Sequence, residues 1–336
     1  MGTEGSAPGI REVASAAGVS VATVSNVLNS TGRFSDQTRE RVEQAMRELG
    51  FVRNRSAFEL RKRERVIIGL LVPNLANSFF AQLAQGVIDR AADRGLLVVV
   101  SDSAEDVQRE TATLESLSEQ QVEDIVVLPV RSASSILGRW TPPRASHIVF
   151  IDADTPASHC SVSADDVAGG ALVLHHLVEA GATRIGYVAP VDEPITQARF
   201  RGAQRAAASA GVSIEWVPTH TMDVQAGIQA GRRLLELGLP FDGLATANDL
   251  MGIGLLRALR EAGTRVPDEI VVAGYDDLER CQDLPIPLTS VRQPTAELGS
   301  LALDMLFSER SRQPHQHAHR VLQPELVVRS SSSRPG

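Results

Sequence analysis

From residue 66 onward, short apolar runs alternate with segments whose apolar residues recur at helical spacing, and this alternation narrows the possible folds more than any other feature of the chain. The runs are Val66 to Val72, Leu96 to Val100, Ile125 to Leu128, Ile148 to Ile151, Ile185 to Val188, Gly243 to Thr246 and Ile270 to Val272. Helical patterns fall between most of them, over Phe79 to Arg94, Val107 to Gln120, Val167 to Glu179, Gln197 to Ala210 and Met251 to Ala262. Continuously apolar strands separated by amphipathic helices predict an α/β fold with parallel sheets covered on both faces. The strands are too many for one comfortable sheet, which predicts two similar lobes. A chain of 336 residues with 43% hydrophobic content can bury cores of that size.

The first 65 residues are different. They hold eleven Arg or Lys against eight Asp or Glu, a net of +3, while the remainder carries −11 of the overall −8. A basic head on an acidic body suggests that the head alone meets a polyanion. Its pattern agrees. Arg11 to Ala17 predicts a short helix with Val13, Ala14 and Ala17 on one face, Gly18-Val19 a tight turn, and Ser20 an N-cap. A second helix runs from Val21 to about Asn29, with Val24, Val27 and Leu28 inward. Ser35 then caps a longer helix with the stripe Val42, Ala45, Met46 and Leu49, closed by Gly50. This is the order of a helix-turn-helix with a third helix closing its core.

The run IREVASAAGVSVATVSNVLNSTGRFSDQTRERVEQAMRELGFVRN resembles the DNA-binding domain of the LacI/GalR family of transcriptional regulators. The resemblance continues through GLLVPNLANSFFAQLAQGV, RFRGAQRA, LATANDLMGIGLLRALREAG and VVAGYDDLE to LTSVRQP, about residues 10 to 330. It implies a helix-turn-helix head over 10–54, a hinge helix and linker over 55–65, and a two-lobed periplasmic-binding-protein-like core over 66–330. Lobe 1 is expected over about 66–164 plus 293–323, and lobe 2 over about 165–292 plus 324–330. The crossovers fall near Ala164, Arg292 and Pro324. Residues 1–9 and 331–336 are expected to be disordered, and the tail RSSSSRPG lacks the apolar heptads of a tetramerising bundle, so a homodimer is expected.

The same resemblance places the leading part of the second helix in the major groove. Val21 and Ala22 offer apolar contact there, Ser25 a hydroxyl, and Asn26 a bidentate pair for adenine, where many family members carry Arg. Thr23, Ser25, Asn29, Ser35, Thr38 and Asn54 match positions that hold the DNA backbone, although Ser35 and Thr38 are equally suited to helix capping. In NRSAFELRKRER, Ala57 matches the small residue that lets a hinge helix approach the minor groove. Leu60 matches the wedge that opens a base step, and Arg61 can reach phosphate. Phe58 and Glu59 depart from the family's pattern. Implied partners are double-stranded operator DNA with near two-fold symmetry and a small polar effector.

In parallel sheets ligands bind beyond the carboxyl ends of the strands. Those ends are Pro73-Asn74, Pro129, Asp152, Asn248-Asp249 and Tyr275-Asp276-Asp277, and Arg199 on the segment after Val188 adds a fixed cation. Arg facing Asp and Asn suits a hydroxyl-rich molecule. Arg199, Asn248 and Asp276 match the family's effector-contact positions. Phe79 and Phe80 match aromatics that line the cleft, though core packing would equally explain them. Ala153 and Met222 stand where some members have a stacking aromatic, which favours a sugar or sugar derivative over a flat purine; a nucleoside remains the alternative.

No catalytic constellation is present. GIGLLR at Gly252 starts like a dinucleotide fingerprint but has Arg257 at the third glycine position, and neither GxxxxGK[ST] nor GxSxG occurs. No cofactor and no metal are expected: His315, His317 and His319 alternate, but flanked by Gln and Pro they read as a solvated loop. A sugar-binding receptor of the same two-lobed fold would call for a signal peptide and no basic head, and MGTEGSAPGIREVASAAG does not read as a signal. No run of roughly 18 apolar residues predicts a membrane span. Cys160 and Cys281 are too few and too distant for a disulfide framework, so a reducing cytoplasm is expected.

Overall fold

A computed structural model describes residues 9–29, 34–49, 51, 67–151, 154–310 and 315–333. The chain divides into two compact units, 1–65 and 66–336. The expected roles of Asn54, Ala57, Leu60, Arg61 and Asp152, and the departure at Ala153, lie outside the described residues.

The first unit contains α1 (Ile10–Ala17), α2 (Val21–Asn29) and α3 (Asp36–Glu48). Gly18 ends α1 at φ +62°, a left-handed conformation that costs glycine nothing, and its N–H bonds back to Ser15 O. Ser20 Oγ accepts from Thr23 N at 3.0 Å to start α2, and Ser35 Oγ accepts from Thr38 N at 3.2 Å to start α3. Val13, Ala14, Ala17, Val24, Val27, Val42 and Ala45 form the core. Arg41 of α3 donates to Ala17 O at 2.5 Å and Gly18 O at 3.1 Å, which satisfies carbonyls that the end of α1 leaves open. Leu49, assigned by periodicity to the α3 stripe, is 37% exposed, because the helix ends at Glu48 and Leu49 leaves its period.

The second unit holds two six-stranded sheets. Lobe 1 has β1 (Ile67–Val72), β2 (Leu97–Asp102), β3 (Asp124–Val127), β4 (His147–Ile151), β5 (Cys160–Ala164) and β11 (His319–Leu322), in the order β11-β5-β4-β3-β1-β2. Every pairing is parallel. Between the strands lie α4 (Ser78–Ala92), α5 (Val107–Glu119) and α6 (Ala133–Leu137), and α11 (Thr295–Arg310) returns to this lobe to pack on α4. The apolar runs serve two faces at once. Ile68, Leu70, Val126 and Val149 meet Leu83, Val87, Leu303 and Leu306 of α4 and α11, whereas Leu71, Ile125, Val127 and Phe150 meet Leu114, Leu117, Ile136 and Trp140.

Lobe 2 repeats the plan with β6 (Arg184–Pro190), β7 (Ser213–Thr219), β8 (Gly243–Thr246), β9 (Val271–Tyr275), β10 (Thr289–Arg292) and β12 (Glu325–Val327), in the order β12-β10-β9-β8-β6-β7. Only β12 runs antiparallel, against β10. Its helices are α7 (Asp166–Glu179), α8 (Pro194–Ala210), α9 (Val224–Glu236) and α10 (Asp249–Glu261). The chain crosses between the sheets after β5, after β10 and between β11 and β12. The fold class is therefore the α/β, two-lobed parallel-sheet architecture with a three-helix head.

The tail corrects one expectation. Ser331 and Ser332, placed in a disordered end by their Ser-rich surroundings, are buried. Ser331 Oγ donates to Val272 O at 2.6 Å and accepts from Thr289 N at 2.8 Å, and Ser332 Oγ bonds Thr289 and His176. Composition misled here because these hydroxyls complete hydrogen bonds at the edge of lobe 2. Residues 334–336 lie outside the described residues.

Candidate functional site

On α2 the side chains divide by helical period. Val24 and Val27 point into the core, while Val21, Ala22 and Asn26 are exposed and Thr23 and Ser25 half-buried. Positions 21, 22, 25 and 26 share one face, so an apolar corner and a carboxamide stand together on a short helix. Thr23 Oγ1 lies 2.8 Å from Ser20 Oγ, and Thr38 Oγ1 lies 2.9 Å from Ser35 Oγ. Both serines therefore cap their helices while remaining exposed. Asn29 ends α2.

The second candidate site lies at the carboxyl ends of β8 and β9 in lobe 2. Arg199, in the second turn of α8, is 4% exposed. Its Nε donates to Asp166 Oδ1 at 2.8 Å and its Nη1 to Ala247 O at 2.5 Å, and the guanidinium lies 3.6 Å from the centroid of the Tyr275 ring. Tyr275 Oη also donates to Asp166, at 3.3 Å. Burial alone would lower the guanidinium's pKa, but Asp166, then Tyr275 and Asp276, raise it, so Arg199 stays charged.

Asp276 stands beside it at φ +107°, followed by Asp277 at +52°. Side chains rarely adopt such backbone, at a cost of ~1–3 kcal/mol per residue, and it persists only where neighbours enforce it. Here Asp276 N donates to Val291 O at 2.8 Å, and Asp277 pairs with Arg292 at 2.7 Å and Arg329 at 2.6 Å. The turn aims the Asp276 carboxyl at Gln293, whose Nε2 donates to it at 2.8 Å. Burial pushes Asp276 up to about 6, with Arg199 and Gln293 pulling in the other direction. Asp249 is pushed up to about 7 by burial and then by Asp276's charge. It accepts from Ser290 Oγ at 2.6 Å and Leu278 N at 2.7 Å, which makes it a brace for the turn.

Asn248 caps α10 through Met251 N at 3.0 Å and donates to Met222 O at 2.9 Å. Arg199, Asn248, Met222 and Asp276 therefore surround one region of lobe 2, with their polar groups already engaged by protein atoms. Phe79 and Phe80, at the start of α4, meet edge to face with centroids 5.2 Å apart. Phe79 packs against the cores of both lobes and Phe80 against that of lobe 1 alone, so Phe79 bridges the lobes. A cavity of about 330 Å³ opens at Asp276 between Gln82 and Thr295 of lobe 1 and Arg292, Gln293 and Arg329 of lobe 2. Arg199 does not line it. The cavity and the buried arginine are two layers that meet at Asp276.

Asp166 and Gln293 were missed by sequence reading, and Tyr275 was named only as part of a strand end. Asp166 follows the first crossover and Gln293 the second, inside the quoted LTSVRQP, so the crossover positions were the available signal. The reading of the three alternating histidines as a solvated loop holds only in part: His317 and His319 are exposed, but His315 is not, and His319 opens β11. His315 is only 17% exposed in its side chain and lies 3.0 Å from Cys160 Sγ, and His319 bonds Ser161 Oγ at 2.5 Å. Their loop folds back onto the edge of the lobe 1 sheet.

Among the described residues no helix is long and apolar enough to cross a membrane. Residues 9–54 match the model of the lacI family of bacterial regulatory proteins, and residues 174–332 match a periplasmic binding protein-like domain. The ribose operon repressor of Escherichia coli (strain K12) is 30% identical over 329 residues, 96% of this chain and 99% of that protein. The ribose operon repressor of Bacillus subtilis (strain 168) is 31% identical over 306 residues, 91% of this chain and 92% of that protein. Among solved structures, the Lac repressor dimer bound to operator and the anti-inducer ONPF is similar at a TM-score of 0.85 and 27% identity, covering 97% of this chain and 99% of that one. Matched in the head, in the body and along nearly its whole length, the chain belongs to the LacI/GalR family of bacterial, DNA-binding transcriptional regulators.

Proposed function

We propose that the protein is a homodimeric repressor that reads a near-palindromic operator through α2 and is controlled by a sugar or sugar derivative bound at Asp276 and Arg199. The observation that carries the effector half is the strained turn at Asp276. Two consecutive aspartates hold left-handed backbone, braced by Arg292, Arg329 and Ser290, and the result is a buried carboxyl beside a buried guanidinium. A carboxylate and a guanidinium can each exchange paired hydrogen bonds with a polyol's hydroxyls, which is the chemistry that favours a sugar over an apolar ligand. The similar proteins support this reading: two are ribose operon repressors, and a third, bound to operator, supports the DNA half.

For the DNA half, Val21, Ala22, Ser25 and Asn26 form the reading face, with Thr23, Asn29, Ser35, Thr38 and Asn54 holding the backbone. Ala57 lets the hinge segment approach the minor groove, Leu60 is the wedge that opens a base step, and Arg61 contacts phosphate. Phe79, Phe80, Asp152, Met222 and Asn248 complete the effector cleft. Closing the cleft on ligand would shift lobe 1, which continues directly from the hinge segment. A coupling of ~1–3 kcal/mol would change operator affinity about 5–150-fold.

Selection of genomic fragments by the purified protein at low salt, followed by sequencing, tests the reading. Two inverted half-sites should emerge, and Asn26→Ala should cost ~1–3 kcal/mol at one base pair of each. Ribose, other sugars and nucleosides are then titrated against the selected fragment, and at least one sugar should change its affinity. Recovery of no fragment with or without these ligands rejects the assignment; a response to nucleosides alone rejects the sugar.

A further inference from the structure

The amino edge of the lobe 1 sheet holds a cluster that regulation at the cleft does not use. β5 begins at Cys160, which is buried; Glu309 lies in the last turn of α11; and His315 and His317 lead into β11. Cys160 Sγ is 3.0 Å from His315 Nε2 and 3.8 Å from His317 Nδ1. Glu309 Oε1 is 3.4 Å from His317 Nδ1 and 3.9 Å from His315 Nε2. All four donor atoms lie within 4.8 Å of one another. The Glu309 side chain is only 8% exposed, and among the described residues its buried Oε1 has no hydrogen-bond partner. An ionised carboxylate is buried at great cost unless a cation or donor compensates it.

We propose that Cys160, Glu309, His315 and His317 form a four-coordinate site for a divalent metal ion of zinc type. A thiolate, two imidazoles and a carboxylate suit zinc and exclude magnesium or calcium, which prefer oxygen alone. Tetrahedral bonds of ~2.0–2.3 Å place neighbouring ligand atoms roughly 3.3–3.8 Å apart. The four separations given above bracket that range. The surroundings also orient the ligands. Ser308 Oγ lies 3.3 Å from His315 Nδ1, Ala318 N donates to Cys160 Sγ at 3.5 Å, and the His159 ring stacks on His317 with centroids 6.2 Å apart. The Ser308 hydroxyl on His315 and the Ala318 N–H on the Cys160 sulfur are outer partners of the kind that orient the ligands of a metal site.

The protein supplies all four ligands and leaves no position for substrate, so the ion is structural. It ties the end of α11 to the edge pair β5 and β11. The site faces away from the effector groups, at the opposite end of the strands from the cleft. Regulation of operator binding and metal binding therefore rest on separate residues, and failure of one leaves the other standing.

The test uses the full chain, stripped by chelator under reducing conditions and then titrated with cobalt(II) alone. One equivalent should bind, with the visible bands of tetrahedral cobalt and a thiolate-to-cobalt charge-transfer band, both abolished by zinc(II). Zinc should also raise the Tm. Cys160→Ser should lose the charge-transfer band. His317→Ala, whose ring is half-exposed, should lose the tetrahedral bands, while His175→Ala on the surface of α7 should keep both. The proposal is overturned if the folded, stripped wild-type chain takes up no tetrahedral cobalt, which leaves a thiol–imidazole hydrogen bond as the whole interaction. Bands unchanged in both ligand variants overturn it equally.

Discussion

The two lobes share one strand order and differ in where their ionisable groups sit. In lobe 2 they gather at the carboxyl ends of the strands, where Arg199, Asp166, Asp249 and Asp276 are buried or nearly so and held by one another. In lobe 1 two clusters stand at the amino edge: Asp124 with His147 and Arg310, and Cys160 with Glu309, His315 and His317. To the cleft, lobe 1 presents chiefly Phe79, Phe80 and Gln82. The same layered scaffold thus gathers ionic groups around a buried arginine in one lobe, while in the other they stand at the amino edge of the sheet or, as Glu110 with Arg139, join α5 to the end of α6. The difference teaches that a strand end becomes a site only when the next segment supplies a fixed charge. In lobe 2 that supplier is α8 with Arg199, and the strained turn after β9 adds Asp276.

The largest effect that could break this contrast is expected at Arg199. Arg199→Ala leaves Asp166 buried beside Tyr275 without its partner and Ala247 O without its donor. Removing one member of a buried pair costs ~3–5 kcal/mol. Urea denaturation should show that loss. A change no larger than that of a surface substitution would mean that the network in lobe 2 is not ionic at its core. Arg199→Lys keeps a charge but not the fork, so it should retain more stability than Arg199→Ala while losing the effector response.

Helix packing gives a second, smaller comparison. A Cβ at Gly170 of α7 would lie 1.8 Å from Arg199 O, and one at Gly86 of α4 would lie 2.4 Å from Ala296 O. Both helix pairs pack backbone against backbone, and the clash is worse in lobe 2. Gly170→Ala and Gly86→Ala should each cost ~1–3 kcal/mol, Gly170→Ala more. Gly170→Ala should also weaken effector binding, because it displaces the helix that carries Arg199. Equal losses, with effector affinity untouched, would show that α8 needs no fixed position.

What the chain announced in advance follows the same division. The seven apolar runs all became strands: most are covered on both faces and have no polar position to disguise them, and the edge strand β2 keeps its apolar run although Leu97 and Val99 are exposed. β5 was invisible: CSVSA reads as a loop, yet Ser161 and Ser163 are buried with their hydroxyls on His319. β7 was hidden by an edge position that tolerates Glu215 and Pro218. At the cleft, Asp276 and Arg199 were singled out from strand ends and resemblance. Their supports, Asp166 and Gln293, were not, because side chains 33 and 17 residues away in sequence meet them only through the crossovers. The metal cluster was missed for the same reason, since Cys160 and His315 are 155 residues apart.

Acidity sharpens the comparison further. Asp276 is pushed up to about 6, above its value in an unfolded chain, so the folded protein takes up a proton there as pH falls through about 6. An effector that donates hydroxyls to this carboxylate binds the ionised form. Affinity should therefore be full above about pH 7 and decline below 6, by roughly tenfold from pH 7 to 5. Calorimetric titration of the responsive sugar across that range measures it. Asp276→Asn should bind more weakly and lose the slope. A slope that survives in Asp276→Asn would assign the titration to Asp249, which burial pushes up to about 7.

The smallest effect is expected in lobe 1, at the carboxylate that joins its two helices. Asp304 of α11 receives Arg90 at 2.9 Å and Arg94 at 2.8 Å, both from the α4 side, and all three side chains are more than a third exposed. Water competes for such pairs and salt screens them, while the helices they link are already locked by Leu83, Val87, Leu303 and Leu306. Asp304→Ala should lose about a tenth of what Arg199→Ala loses in the same urea measurement. Raising the salt should shrink even that. If Asp304→Ala instead approaches the cost at Arg199, the exposed ionic groups of lobe 1 carry its fold as much as the buried ones of lobe 2 do, and the contrast between a buried and an exposed ionic network fails.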